Sequence, residues 1–146
     1  MLNISTEIRI KYINALKNNI TYNGVVIPIF DEILTADAVI PKINGAEIYI
    51  LIENQQEMDY SVQNMCKYTI DANITIRVVT KFSLTGSRRI CEDIAKMIDD
   101  KIRDGRDNNH LGIRDIKLQL ARTLTESSQS HTAYSKVMIY SNILDI

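Results

Sequence analysis

The sequence predicts an α+β domain in which two helices pack on one side of a mostly antiparallel, curved sheet of about five strands. Two segments carry apolar residues at helical spacing, and other segments alternate apolar with polar residues as strands do. These segments follow one another in the order helix, strands, helix, strands. The chain has 146 residues and is 45% apolar and 24% charged, which predicts one domain over residues 1–146.

The predicted helices span residues 5–20 and 87–103. Ile8 and Tyr12 begin the apolar stripe of the first helix. A polar turn at residues 104–109 is expected to end the second helix, because glycine and asparagine cluster there. The apolar face of the second helix is formed by Ile90, Ile94, Met97, Ile98 and Ile102.

Residues 68–81 give the clearest strand prediction. Their even-numbered positions are mostly apolar and their odd-numbered positions are mostly polar, which predicts one covered face and one wet face. Pro28 cannot donate a ladder hydrogen bond, so its strand is expected at a sheet edge or with a bulge. Residues 54–64 are polar without either period and are predicted to form an exposed loop. The other strands are expected at residues 24–31, 47–52, 113–124 and 133–144.

Several predicted strands are apolar on both faces, notably residues 48–52 and 137–144. Two helices can cover only one face of a sheet, so the second face needs another cover. Two explanations stay open, and the two are compatible with each other. A partner subunit covers that face, or the sheet curls into a barrel-like shape and buries the face itself.

The residues offer no credible catalytic, metal-binding or cofactor-binding set, so the chain is expected not to be an enzyme. The net charge of -1 argues against a dedicated nucleic-acid binder. His110 and His131 lack further ligands at zinc-like spacing, and Cys66 and Cys91 form no CxxC pair. The longest apolar run, residues 25–30, is too short to span a membrane, so no membrane contact is expected.

Arginines stand at two unusual places. Arg88 and Arg89 open the second helix, where positive charge opposes the helix dipole; either they are solvated or they contact a subunit or a phosphate backbone. Arg122 interrupts an apolar strand face, and a buried arginine needs a carboxylate partner. Either the strand is exposed there, or Arg122 forms a salt bridge to another subunit. The apolar face in question was expected to contain Ile116, Leu118, Leu120 and Leu124.

Short segments along the chain match a known arrangement. The segment Val-Ile-Pro-Ile-Phe-Asp at residues 26–31 follows the first helix, and Tyr-Ile-Leu-Ile follows at residues 49–52. A polar segment, the long strand, a helix with Ile94 and Ala95, and two terminal strands complete the order. In these features the chain resembles the tail-terminator and tail-completion proteins of tailed bacteriophages. Pro28 and the long polar segment at residues 54–64 depart from the family pattern.

The resemblance implies a non-enzymatic virion protein, assembled in the host cytoplasm as a six-fold or twelve-fold homo-oligomeric ring at the head–tail junction. Such a ring contacts portal, neck or tail-tube proteins and leaves a channel for DNA, which passes without base readout. No catalytic residue, metal or cofactor is implied. Ring contacts join different surfaces of neighbouring subunits, so strand edges and exposed arginines are candidates. The candidate interface residues are Pro28, Asp59, Tyr60, Arg88, Arg89, Arg122, Val137, Ile139 and Tyr140.

Two other functions stay open at this point. The chain could be an intracellular homodimeric interaction or adaptor module without catalysis. It could also be a small enzyme whose site is assembled from scattered polar residues, for which His110, His131 and Arg122 are the candidates. The mass of the particle in solution separates the ring from the dimeric module.

Overall fold

The computed structural model describes residues 4–32, 34, 38–54, 57–64, 67–83, 86–108 and 111–145, with side chains at all of them except 57–64, 67, 68 and 145. Two helices are present in this part of the chain, α1 (Ile4–Leu16) and α2 (Arg89–Asp107). The strands are β1 (Thr21–Tyr22), β2 (Val25–Val26), β3 (Ile29–Asp31), β4 (Lys42–Ile43), β5 (Ala46–Glu53), β6 (Glu57–Asn64), β7 (Lys67–Phe82), β8 (Asp115–Ser127) and β9 (Thr132–Asp145).

The main sheet has the strand order β3-β5-β7-β9-β8, with β4 added to β5 and β6 added to β7. Every neighbouring pair is antiparallel except β3 and β5, which are parallel. The predicted α+β class is therefore confirmed. The sheet is open, since β3 and β8 end the order of described strands, so these strands form no closed barrel.

The prediction of an exposed loop at residues 54–64 is wrong, because β6 lies within that segment. Strands β5 and β6 pair in succession with the same edge of β7: Glu53 lies opposite Thr75, and Glu57 lies opposite Ala72. The two strands together thus run antiparallel to nearly all of β7. Strand β6 is formed by backbone hydrogen bonds to the long strand β7, and such bonds do not require alternating apolar side chains. The polar sequence of β6 therefore gave no periodic signal.

The predicted strand at residues 24–31 is divided into β2 and β3 around Pro28. Asn23 and Gly24 both have positive φ, at 50° and 77°, and form the tight turn of the β1–β2 hairpin. Beyond Pro28 the chain leaves this hairpin and pairs with β5, where the Ile50 N–H donates to the Pro28 carbonyl at 3.0 Å. Proline thus stands at the break, where it leaves no ladder donor missing.

Both helix ends differ from the predicted positions. Helix α1 ends at Leu16, four residues early, and Asn18 follows with a φ of 64°. Helix α2 continues to Asp107, because Gly105 lies within the helix instead of ending it. A Cβ at Gly105 would lie 2.9 Å from the Leu111 side chain. That glycine therefore serves close packing, which its neighbours in sequence do not reveal.

The core lies between the helices and one face of the sheet. The even-numbered residues of β7 from Ile70 to Val78 are buried, as the alternation predicted. The opposite face of β7 is not wet as expected, because Thr69, Thr75 and Val79 are also buried. The same core contains Ile8, Tyr12 and Leu16 from α1, Ile48, Ile50 and Ile52 from β5, and Ile90, Ile94, Ile98 and Ile102 from α2.

The side-chain amide of Asn142 joins three elements inside this core. Asn142 on β9 donates through Nδ2 to the Ala72 carbonyl on β7 at 3.1 Å and to the Tyr140 carbonyl at 3.2 Å. Its Oδ1 accepts a hydrogen bond from the Tyr12 hydroxyl on α1. Asn142 and Tyr12 are both fully buried. Each polar atom thus has a partner, as burial requires.

A second contact holds α2 on the same face. The Tyr140 hydroxyl on β9 donates to Asp99 Oδ1 at 2.6 Å, and Arg103 Nε donates to Asp99 Oδ2 at 2.7 Å. Tyr140 and Asn142 are two residues apart on one strand, so their side chains lie on one face. The rings of Tyr12 and Tyr140 also approach to 6.3 Å between centroids. Both helices therefore pack on the same side of the sheet, as predicted.

Replacing Tyr12 by Phe tests the buried network. The Tyr12→Phe variant leaves the Asn142 Oδ1 acceptor buried without its donor, which costs about 1–3 kcal/mol of unfolding free energy. Urea unfolding followed by circular dichroism measures this loss. Tyr22→Phe removes the hydroxyl of a half-buried tyrosine outside the network and is the control. Equal stability of the two variants would contradict the role given to Asn142.

Alkaline pH provides an independent test. Burial raises the pKa of Tyr12 and of Tyr140 above the ordinary value of 10.0, and for Tyr140 the Asp99 hydrogen bond and charge add to it. Because the pKa is higher in the folded than in the unfolded protein, each tyrosine makes its full contribution to the unfolding free energy below the unfolded pKa. That contribution is lost as the pH rises above about 10. The unfolding free energy should thus fall by up to about 1.4 kcal/mol per pH unit for each tyrosine. Tyr12→Phe should show a shallower fall, and an unchanged slope would contradict this.

Candidate assembly surface

The sheet face opposite the helices is the candidate site and is called the outer face. Cross-strand register defines it, since residues opposite one another share a face. One row runs through Phe30, Leu51, Arg77, Val137 and Arg122, taking one residue from each of five strands. Other outer-face residues in neighbouring rows are Tyr49, Thr75, Val79, Leu120, Leu124, Ser135 and Ile139.

A β-bulge in β8 determines which of its side chains lie on the outer face. Leu118 lies opposite Tyr140 and Leu120 lies opposite Ile139, so Gln119 is an extra residue in the ladder. Because one extra residue reverses the alternation, Leu118 faces the helices while Leu120 faces away. The expectation that Ile116, Leu118, Leu120 and Leu124 share one face is therefore wrong.

Apolar side chains on the outer face remain partly exposed. Leu120 is 43% exposed and Leu124 is 38% exposed, and Leu51 and Ile139 are half-buried. These four residues pack apart from the core cluster beneath the helices. Large apolar side chains grouped on one open face are typical of an interaction surface.

Arg77 lies at the centre of the outer face and has an unusual environment. Its Nε atom is buried and meets no hydrogen-bond acceptor among the described residues. Leu51 and Val137 flank it on the neighbouring strands. Burial raises the pKa of the nearby Tyr49 hydroxyl, whereas the Arg77 charge lowers it. A buried guanidinium nitrogen without an acceptor is destabilising in the isolated chain.

The structure brings together three of the residues predicted for the interface. Val137, Ile139 and Arg122 all lie on the outer face, with Val137 buried, Ile139 half-buried and Arg122 exposed. Tyr140 does not lie there, because it faces the helices, is 2% exposed and donates to Asp99. Its assignment to a subunit surface is therefore corrected: it belongs to the core. Pro28 is half-buried in the link between β2 and β3.

The remaining candidates lie elsewhere. Arg88 and Arg89 are exposed at the start of α2, on the helix side of the sheet, and Arg88 Nε lies 3.6 Å from Glu92. Asp59 and Tyr60 are on β6, whose side chains lie outside the description. The β6 backbone pairs Asp59 with Ile70 and shifts register before Ser61.

Sequence reasoning did not name Tyr49, Leu51 or Arg77 as interface residues, although it noted that residues 48–52 are apolar on both faces. Tyr49 and Leu51 alternate with the isoleucines of β5, and the phenol ring of Tyr49 packs edge-on against Phe30 at 6.3 Å between centroids. The apolar residues on both sides of that strand were the available signal. Arg77 gave no signal, because a polar residue was expected on a wet face.

A second group of polar side chains lies in the turn between β8 and β9. His131 Nδ1 lies 3.1 Å from Ser128 Oγ and 3.2 Å from Ser130 Oγ, within the turn that joins β8 and β9. These contacts are local to the hairpin and close its turn. His110 lies outside the described residues. Among the residues that the structure describes, no group of three His, Cys, Asp or Glu side chains is placed to hold a metal ion.

Comparison with protein-family models and with curated proteins finds no match for this chain. Within the described part of the chain, neither helix combines the length and the apolar character needed to cross a membrane. The outer face therefore has to be interpreted from its own geometry and chemistry.

Replacing Arg77 by Met tests whether the outer face is unsatisfied in the isolated chain. Met keeps most of the apolar stem and removes the buried Nε, so the unfolding free energy should stay equal or rise by about 1 kcal/mol. Arg122→Met, at an exposed position, should change it by less than about 0.5 kcal/mol. Urea unfolding measures both, and a loss above about 1 kcal/mol in Arg77→Met would contradict the assignment.

Proposed function

We propose that this protein is a non-enzymatic structural subunit that assembles with copies of itself into a ring at the head–tail junction of a tailed bacteriophage. In this role it acts as a tail terminator or as a neck ring, and it leaves a channel for DNA. The single observation that supports self-assembly most strongly is the outer face, where Leu51, Leu120, Leu124 and Ile139 are partly exposed on the same side of the sheet as Arg77.

The order of elements supports the phage assignment. The resemblance rests on a helix, two strands, a loop, a long strand, a second helix and two terminal strands, and the described elements follow this order except that β6 occupies the place of the loop. The long strand β7 passes into α2, and β8 and β9 form the terminal hairpin. Because fold alone does not fix function, this support is an analogy, and the outer face carries the physical argument.

A ring requires two different complementary surfaces on each subunit. We assign the outer face as one of them, because burying its leucines and isoleucine removes apolar surface from water. Arg88 and Arg89 are exposed on the other side of the sheet and are proposed to meet DNA phosphates or a neighbouring ring.

Introducing a charge on the outer face tests this function. Leu120→Arg places a cation at a 43% exposed outer-face position, and Ile10→Arg places one at a 48% exposed position on α1. We expect rings of six or twelve copies of the 16.7 kDa chain for the native protein and for Ile10→Arg. Leu120→Arg should abolish them. Light scattering and negative-stain electron microscopy at high protein concentration measure the mass and the central channel.

A native chain that forms no particle beyond two copies would contradict the ring and would favour the alternative, a homodimeric interaction module. Equal assembly of Leu120→Arg and Ile10→Arg would contradict the use of the outer face. Circular dichroism of both variants establishes that any loss of assembly is not a loss of folding.

A further inference from the structure

We infer that β8 pairs along its free edge with β8 of a second copy of this chain, antiparallel and about a two-fold axis at Leu124. Such a contact uses the same residues on both copies. It goes beyond the proposed function, because ring neighbours are joined by two different surfaces, and it can form whether or not a ring does.

The free edge of β8 is long and open. Strand β8 has 13 residues and, among the described strands, pairs only with β9. The half of β8 that leads into the turn before β9 is mostly exposed on both faces of the sheet. Its exposed residues include Ala121, Arg122, Leu124, Thr125 and Glu126. An unpaired strand edge of this length offers a row of backbone donors and acceptors to another strand.

The turn between β8 and β9 shows which backbone groups face that edge. The Ser128 N–H donates to the His131 carbonyl at 2.8 Å, so residues 128 and 131 form a hydrogen-bonded pair. Bonded and non-bonded pairs alternate along an antiparallel ladder, and the register from Leu120 to Ser127 contains no shift. The N–H and C=O groups of Ala121, Thr123, Thr125 and Ser127 therefore point away from β9.

A two-fold axis at Leu124 matches this pattern. It sets Thr123 opposite Thr125 of the second copy, and both have their backbone groups directed at the partner. It sets Leu124 against Leu124 of the second copy and Arg122 against Glu126 of the second copy, on the outer face. The Leu124–Leu124 pair and the Arg122–Glu126 pairs are non-hydrogen-bonded pairs, in which opposing side chains lie closest.

Charge favours this register over the two registers centred on Thr123 and Arg122. An axis at Thr123 would place Arg122 opposite Leu124 and Leu120 opposite Glu126, leaving both charges against leucines. An axis at Arg122 would place two arginines face to face, which is destabilising. The axis at Leu124 forms two opposite-charge pairs and one leucine pair. Both Arg122 and Glu126 are exposed, and among the described residues neither has a salt-bridge partner, so both are available.

Reversing these charges gives a test with an internal rescue. Arg122→Glu and Glu126→Arg should each place like charges opposite one another twice and weaken the two-copy contact by about tenfold or more. The double variant Arg122→Glu/Glu126→Arg should restore it. An equimolar mixture of the two single variants should also form mixed pairs, because each chain then supplies the charges that the other needs. Sedimentation velocity over a concentration series measures the mass, starting from the 16.7 kDa chain.

The matched control is Lys96→Glu, a charge reversal at an exposed position on α2 that lies away from β8. It should leave the association unchanged. Equal weakening by Lys96→Glu, failure of the double variant to restore the contact, or a native chain without any two-copy contact would each overturn the proposal. Circular dichroism shows whether every variant is folded.

Cysteine cross-linking tests the register itself. Leu124→Cys should form a disulfide between copies under mild oxidation, because facing Cα atoms in a non-hydrogen-bonded pair lie within disulfide range. Thr123→Cys should cross-link poorly, and the native chain, which contains Cys66 and Cys91, is the background control. Preferential cross-linking of Thr123→Cys would overturn the axis at Leu124. Rings that persist when charge reversal abolishes the β8 contact would leave the proposed function standing alone.

Discussion

Both helices of this protein are held on one face of the sheet by polar contacts that two residues of β9 make. Asn142 accepts the Tyr12 hydroxyl from α1, and Tyr140 donates to Asp99 on α2. Each of these groups would be costly to leave without a partner inside the core, so neither helix can leave this face cheaply. With both described helices on one side, no helix in the described part of the chain covers the outer face. The partial exposure of Leu120 and Leu124 follows from that arrangement.

The outer face is also where the chain departs from rules that stabilise an isolated domain. Arg77 buries its Nε without an acceptor among the described residues, and apolar side chains around it keep contact with water. Natural proteins tend to break local rules of this kind at functional sites. Contact with another protein surface, as proposed above, would cover the partly exposed apolar side chains. A second copy is the simplest partner.

Periodicity predicted the elements whose own sequence carries the signal, above all β7, α2 and the terminal hairpin, and from them the fold class. It failed where the structure depends on distant neighbours. Strand β6 is polar and is formed by pairing with β7, and the bulge at Gln119 moves Leu120 to the other face without marking the sequence. Of the residues named from the sequence, Val137, Ile139 and Arg122 lie on the outer face, whereas the position of Arg77 and the burial of Tyr140 depend on register across strands.

Hydroxyl-radical footprinting during concentration-driven assembly tests most directly whether copies of this chain cover the outer face. Leu120 and Ile10 have similar exposure in the single chain, at 43% and 48%, but lie on opposite sides of the sheet. The account predicts that oxidation of Leu120, Leu124 and Ile139 falls as the protein is concentrated, while oxidation of Ile10 stays constant. Unchanged oxidation of the outer-face residues, or equal protection of Ile10, would contradict it.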